Sequence, residues 1–207
     1  MLSHTLLTTC LLGILLPLTS PAQTAPASSR FYVGVGANLL SNTPFKDRGI
    51  VPRILGPSIT AGVNFMPRLA LQVGLSYHGK KDTYDDMFAS PAVVTTVSTK
   101  YLVIPALLRY TVTTPINPIN FDVLGGATLV HVTGHTTYSA TPSTYNEYSD
   151  SDTRFNLTLG PAVRAAISSH LELTATSLVS MVVGENYYNF SDRLFLNTSL
   201  GINYKFN

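Results

Sequence analysis

Residues 68–78 read Arg-Leu-Ala-Leu-Gln-Val-Gly-Leu-Ser-Tyr-His. Leu69, Leu71, Val73, Leu75 and Tyr77 share one parity, and Arg68, Ala70, Gln72, Gly74, Ser76 and His78 share the other. A period of two puts successive side chains on opposite faces of an extended chain, so this stretch is a strand with one apolar face. The end of the chain repeats the pattern. Leu196, Thr198, Leu200, Ile202, Tyr204 and Phe206 alternate with Asn197, Ser199, Gly201, Asn203 and Lys205. So does the stretch from Phe155 through Leu157, Leu159, Pro161, Val163 and Ala165 to Ile167. No segment after Arg30 holds a helical repeat for three turns.

Outward from these stretches, eight such segments can be marked: 31–41, 55–66, 68–78, 94–110, 120–133, 153–167, 171–183 and 194–206. Their connections alternate between short and long. Pro67 and the residues 168–170 make tight links, and the link after Tyr110 is moderate. The segments 42–54, 79–93, 134–152 and 184–193 are expected as long loops. Short turns on one side and long loops on the other are the signature of an eight-stranded antiparallel up-and-down transmembrane β-barrel. The expected fold class is therefore all-β, with both termini on the short-turn side.

Periodicity alone leaves the sense of the faces open, because a soluble lipocalin-like barrel would turn the apolar set inward. Three features favour apolar-out. Aromatic residues of the apolar parity (Phe65, Tyr77, Tyr110, Phe121, Phe155, Tyr204 and Phe206) fall near strand ends, where they would form interfacial girdles. Tyr101 and Phe195 break that parity and are expected inside or above the interface. The charges of the polar parity (Arg68, Arg109, Asp122, Arg164, Glu172 and Lys205) all lie close to short turns and are expected as an interior polar cluster. Within it, hairpin geometry puts Arg109 beside or diagonal to Asp122, and Arg164 diagonal to Glu172. The rest of that parity is Gly, Ala, Ser, Thr and Asn, small enough for a crowded interior. Pro57, Pro105 and Pro161 sit inside these strands and call for a bulge or a local break.

Composition agrees. Hydrophobic residues are 45% of the 207 and charged residues 12%, so the chain is poor in charge without being greasy. The net charge of +2 gives no electrostatic case for nucleic acid. The only cysteine, Cys10, lies in an apolar run at residues 6–18. That run is too short to span a bilayer and has the length of a signal-peptide core. Ser20-x-Ala22 offers a cleavage point between Ala22 and Gln23, with Ala25-x-Ala27 as a second choice. The expected organisation is a signal peptide over 1–22, a linker over 23–30 and a barrel over 31–207, exported to the outer membrane of a Gram-negative envelope.

The stretch Tyr101-Leu-Val-Ile-Pro-Ala-Leu-Leu-Arg-Tyr110 resembles the small outer-membrane β-barrel proteins labelled PorT-like, which carry Tyr-Leu-x-Ile-Pro-x-Leu-Leu-x-Tyr in one strand. Leu124-Gly-Gly-Ala127 and the final Leu200-Gly-Ile-Asn-Tyr-Lys-Phe206 extend the resemblance. The family's acidic residue after Tyr-Leu is Val103 here, and Thr176 and Ser177 replace its usual aromatic and basic residues. The resemblance implies an outer-membrane barrel without known catalysis. Expected partners are outer-membrane lipid and lipopolysaccharide, with the barrel-assembly machinery engaging the C-terminal strand.

No cofactor or metal is expected. His131 and His135, four apart in a strand, would stand about 13 Å apart, too far to share an ion. The acidic residues Asp82, Asp85, Asp86, Glu147, Asp150 and Asp152 lack the order of a calcium loop. An alternative reading, a lipid A-modifying enzyme, would have to assemble a Ser/His/acid set from loose serines, a histidine and Glu147. A structural or surface-binding role is the main expectation. Tyr84, Tyr138, Tyr145, Tyr148, Tyr187 and Tyr188 lie among Ser, Thr and Asn in the long loops, a composition that suits recognition surfaces. Transport is disfavoured, because side chains fill an eight-stranded interior.

Overall fold

The computed structural model describes residues 30–42, 53–86, 93–114, 117–140, 144–184 and 193–206. The expected signal peptide 1–22, its Ala22–Gln23 cleavage point and nearly all of the linker lie outside these residues. So do Tyr187 and Tyr188.

Eight strands close into a barrel in chain order: β1 Phe31–Asn42, β2 Arg53–Met66, β3 Leu69–Asp86, β4 Val93–Thr111, β5 Ile119–Ala140, β6 Thr144–Ala166, β7 Leu171–Val182 and β8 Leu194–Phe206. Every pairing is antiparallel, and β1 closes on β8 from Phe31 opposite Phe206 upward. Closure removes the sheet edges that a bilayer could not satisfy.

Parity sorts the faces. Leu71, Val73, Leu157, Leu159, Leu200 and Ile202 point outward and are exposed in the isolated chain. Asn38, Ser76, Thr128, Asn156, Thr158, Ser180 and Asn197 point inward and are buried. A lipocalin-like barrel would have the reverse arrangement, so that alternative is overturned. Tyr101 and Phe195 lie inside, Tyr101 packed beside Leu40, Val103 and Val130, and Phe195 buried.

Two of the expected loops are corrected. The β3–β4 ladder runs unbroken from Ser76–Val103 to Asp86–Val93, and the β5–β6 ladder runs to Ala140–Thr144. Most of residues 79–93 and 134–152 is therefore strand, because Thr, Val and Tyr recur there and favour the extended chain.

The three prolines occupy local breaks. Pro105 pairs with Thr128 of β5, while the pairing of β4 with β3 lapses between Val73–Ala106 and Ser76–Val103. Pro161 pairs with Val123 of β5, while the pairing of β6 with β7 lapses between Leu159–Val179 and Ala162–Thr176. Pro57 pairs with Ala37 of β1, and the β2–β3 ladder ends beside it at Ser58–Ser76. A proline has no N–H to donate, so each strand keeps one neighbour and loosens its hold on the other. The register is the same on both sides of the two lapses, so no bulge is needed.

Candidate functional site

The lumen is filled in layers. At the short-turn end lies an ionic floor. Arg164 on β6 donates from Nε to Asp122 Oδ2 at 2.5 Å and from Nη2 to Oδ1 at 3.0 Å. Its Nη1 donates to Glu172 Oε2 at 3.1 Å. Lys205 Nζ reaches the same Glu172 oxygen at 2.6 Å. Thr111 Oγ1 donates to Asp122 Oδ1 at 2.7 Å and accepts from Arg164 Nη2 at 3.0 Å. Strands β4 to β8 are thereby tied together at one level. Burying a lone charge is costly, and here each buried carboxylate meets at least one cation.

Arg109 keeps the diagonal placement that hairpin geometry gives it but bonds elsewhere. It stands diagonal to Asp122 in register, since Thr111 is the residue opposite that carboxylate. Its Nη2 donates to Asn64 Oδ1 at 2.8 Å, and its guanidinium lies 4.7 Å over the Tyr32 ring. Tyr32 in turn donates to Gln72 Oε1 at 3.0 Å. Gly62 makes room for this, since a Cβ there would collide with the ring of Tyr32. Arg68 does not enter the floor. β3 starts at Leu69, so Arg68 sits exposed in the turn, no longer held by strand alternation. The floor among the described residues therefore has three cations, Arg109, Arg164 and Lys205, around two carboxylates.

Above the floor, Leu107, Leu124, Ala162 and Leu178 form an apolar layer. Hydroxyls then run along the inner wall of three adjacent strands, from Thr128 to Thr158 at 2.7 Å and on to Ser180 at 2.7 Å. Asn38 bonds to Asn197, and its Oδ1 meets His78 Nε2 at 2.8 Å. Small cavities of about 40 and 30 Å³ lie along the inner wall among the described residues, each with room for a few waters at most. An interior packed in this way braces the wall.

Outside, Phe65, Tyr110, Phe121, Tyr204 and Phe206 face outward near the short turns, and Tyr77 and Phe155 face outward further up. Tyr204 meets Phe206 edge-on at 5.1 Å and stacks on His170 at 5.8 Å. Higher still stand the β3–β4 and β5–β6 hairpins. Tyr84, Tyr138 and Tyr148 are exposed on them, and Tyr145 lies opposite Ser139 near the tip. His131 and His135 both face outward: His131 Nδ1 meets Thr153 Oγ1 at 2.8 Å, and His135 Nδ1 meets Ser149 Oγ at 2.9 Å. His135 Nε2 pairs with Glu147 at 2.6 Å. Among the described residues no group of three metal-ligating side chains converges.

The sequence reading missed Tyr32, Asn64, Thr111 and the Asn38–His78–Asn197 chain. Tyr32 had a signal, since it breaks the parity of Phe31, Val33 and Val35.

The profile of the outer membrane protein beta-barrel domain matches residues 8–206. The chain belongs to this family. It is an outer-membrane β-barrel protein, and its apolar band is the surface that meets lipid. Among solved structures it resembles a major outer membrane protein from Thermus thermophilus, with a TM-score of 0.57, 14% identity, and 87% of this chain and 100% of that one covered. Ail, the attachment invasion locus protein of Yersinia pestis, gives a TM-score of 0.56 at 13% identity over 87% of this chain and all of that one. That structure holds the heparin analogue sucrose octasulfate. OprG from Pseudomonas aeruginosa gives 0.52 at 10% identity over 89% of this chain and 100% of its own. At these identities the likeness speaks for the fold. No match was found among curated proteins.

Proposed function

We propose that this protein is a surface-binding outer-membrane barrel that presents two rigid hairpins to the medium. The observation that carries this is the continuation of β3–β4 and β5–β6 past the top of the continuous outward apolar band at Tyr77, Leu102, Leu129 and Phe155. Nine further residues of β3 beyond Tyr77, at about 3.3 Å each and tilted about 40°, rise on the order of 20 Å above the apolar band. Exposed tyrosines among Ser, Thr and Asn on a rigid support give contact area at low entropic cost. The heparin analogue on Ail supports a sulfated glycan as a first probe.

We also propose that residues 1–22 are removed on export, that 23–30 form a linker, that the barrel spans 31–207, that the C-terminal strand engages the barrel-assembly machinery, and that the subfamily is PorT-like. Outer-leaflet lipid and lipopolysaccharide are the expected surroundings. Mass spectrometry of the envelope form should find Gln23 as its first residue.

The binding role is tested by trimming both hairpins above residues 79 and 132 and comparing the two proteins on an array of sulfated glycans and extracellular proteins. The trimmed barrel should stay heat-modifiable and lose the signal. Equal binding by both, or none by the whole protein, overturns the reading.

One contact set favours the enzymatic alternative: Ser149, His135 and Glu147 touch in series. Both ends are wet, however, with the His135 and Glu147 side chains 41% and 50% exposed, and a solvated cross-strand ladder accounts for them. Ser149→Ala should leave any lipid A in the membrane unchanged.

A further inference from the structure

The outward face just above the apolar band has an unusual charge pattern. Tyr77 and Leu102 face each other at the top of the band. One outward step higher, Gly79 faces Lys100, which faces Thr133 on β5. One step further, Lys81 faces Ser98, which faces His135. Lys81 and Lys100 are thus diagonal neighbours, with backbones about 7–8 Å apart. Both are exposed, and neither has an ion pair among the described residues.

The nearby carboxylates are accounted for. Asp82 pairs with Lys80 at 2.6 Å, and both belong to the opposite parity. Glu147 is held by His135 at 2.6 Å. Asp85 shares the outward parity but stands two steps above Lys81. Two ammonium groups therefore lie in a strip flanked by hydroxyls, with Glu147 engaged by His135 at its edge. The strip is open at Gly79, where a Cβ would meet nothing within 4 Å.

We propose that Lys81 and Lys100 form a shelf for the phosphate of an outer-leaflet glycolipid of the lipid A type. Position decides between this and a soluble anion. The shelf begins one outward residue above Tyr77 and Leu102, where a phosphate would sit directly over acyl chains lying against the apolar wall. Lysine binds phosphate as a point charge without demanding one geometry, and Ser98 and Thr133 offer hydrogen bonds to phosphate or sugar oxygens. The shelf covers only the β3–β5 side of the barrel, so one lipid is held there in preference to a uniform annulus. The proposal rests on the outer-membrane placement and is independent of what the hairpin tips bind.

The test uses the full barrel in phospholipid nanodiscs, titrated with bisphosphorylated lipid A and with its fully dephosphorylated form. Wild type should bind the phosphorylated lipid about tenfold more tightly than the dephosphorylated one, and K81Q/K100Q should lose about that factor, the scale of two exposed charge contacts. K81R/K100R should keep the preference, and K80Q, on the other face, should match wild type. Heat-modifiability checks that each variant is folded, and K100Q alone serves if the double variant is not. Unchanged binding by K81Q/K100Q overturns the proposal. Displacement of lipid A by millimolar inorganic phosphate overturns it in favour of a free-anion site, and displacement by a heparin oligosaccharide in favour of a soluble polyanion.

Discussion

Asp122 on β5 and Arg164 on β6 are joined by two hydrogen bonds of 2.5 and 3.0 Å, although they stand diagonal and not opposite in the ladder. The same guanidinium holds Glu172 on β7, so one side chain spans three strands. Replacing Arg164 by Met strands the buried carboxylate of Asp122 and leaves Glu172 with Lys205 alone, and should cost about 3–5 kcal/mol in urea unfolding from bilayers. A double-mutant cycle on Asp122 and Arg164 should give a coupling of about 0.5–3 kcal/mol, while Arg109 and Asp122, which do not touch, should couple near zero.

Tyr32 serves Arg109 with its ring and Gln72 with its hydroxyl. Tyr32→Phe keeps the ring and should cost about 0.5–1.5 kcal/mol. Tyr32→Ala removes the packing as well and should cost about 3–5 kcal/mol. Similar losses for the two variants would mean that the ring does nothing for the guanidinium.

The lipid face carries its own prediction. Val73→Arg lies in the middle of the outward band and should destabilise by about 2–4 kcal/mol, whereas Phe206→Arg at the rim should cost about 0–1 kcal/mol beyond its lost packing. Equal costs in vesicles of one lipid would place the band elsewhere.

Proline tolerance should follow the lapses in pairing. Pro105→Ala, at a position where β3 is already loose, should refold and lose no more than about 1.5 kcal/mol. Val103 is paired on both sides, with Ser76 and Val130. Val103→Pro should lose the heat-modifiable form, since a proline at a doubly paired position removes a ladder bond. A folded Val103→Pro barrel would contradict the account of the prolines.

The alternation of Leu71, Val73 and Leu75 with Gln72 and Gly74 was legible because one face meets lipid and the other a polar lumen. The hairpins were not, for the same reason: above Tyr77 both faces are wet, so Thr83, Tyr84 and Asp85 show no hydrophobic period although they continue the strand. The floor was legible only in composition. Alternation put Asp122, Arg164 and Glu172 inward, but it could not say that Arg164 would reach both carboxylates. Nor could it foresee that Arg109 would turn to Tyr32 and Asn64 on strands distant in sequence. Arg68 was assigned by parity one residue before its strand begins.

The prolines of β4 and β6 both turn their full ladders toward β5, and that of β2 turns toward β1. The wall is thus two stiff panels, β4–β5–β6 and β7–β8–β1–β2, which meet directly at the β6–β7 line and through β3 on the other side. Squeezed sideways by a crowded membrane, such a tube should flatten along chosen creases instead of bending evenly, and the ionic floor at one end limits how far the creases can open.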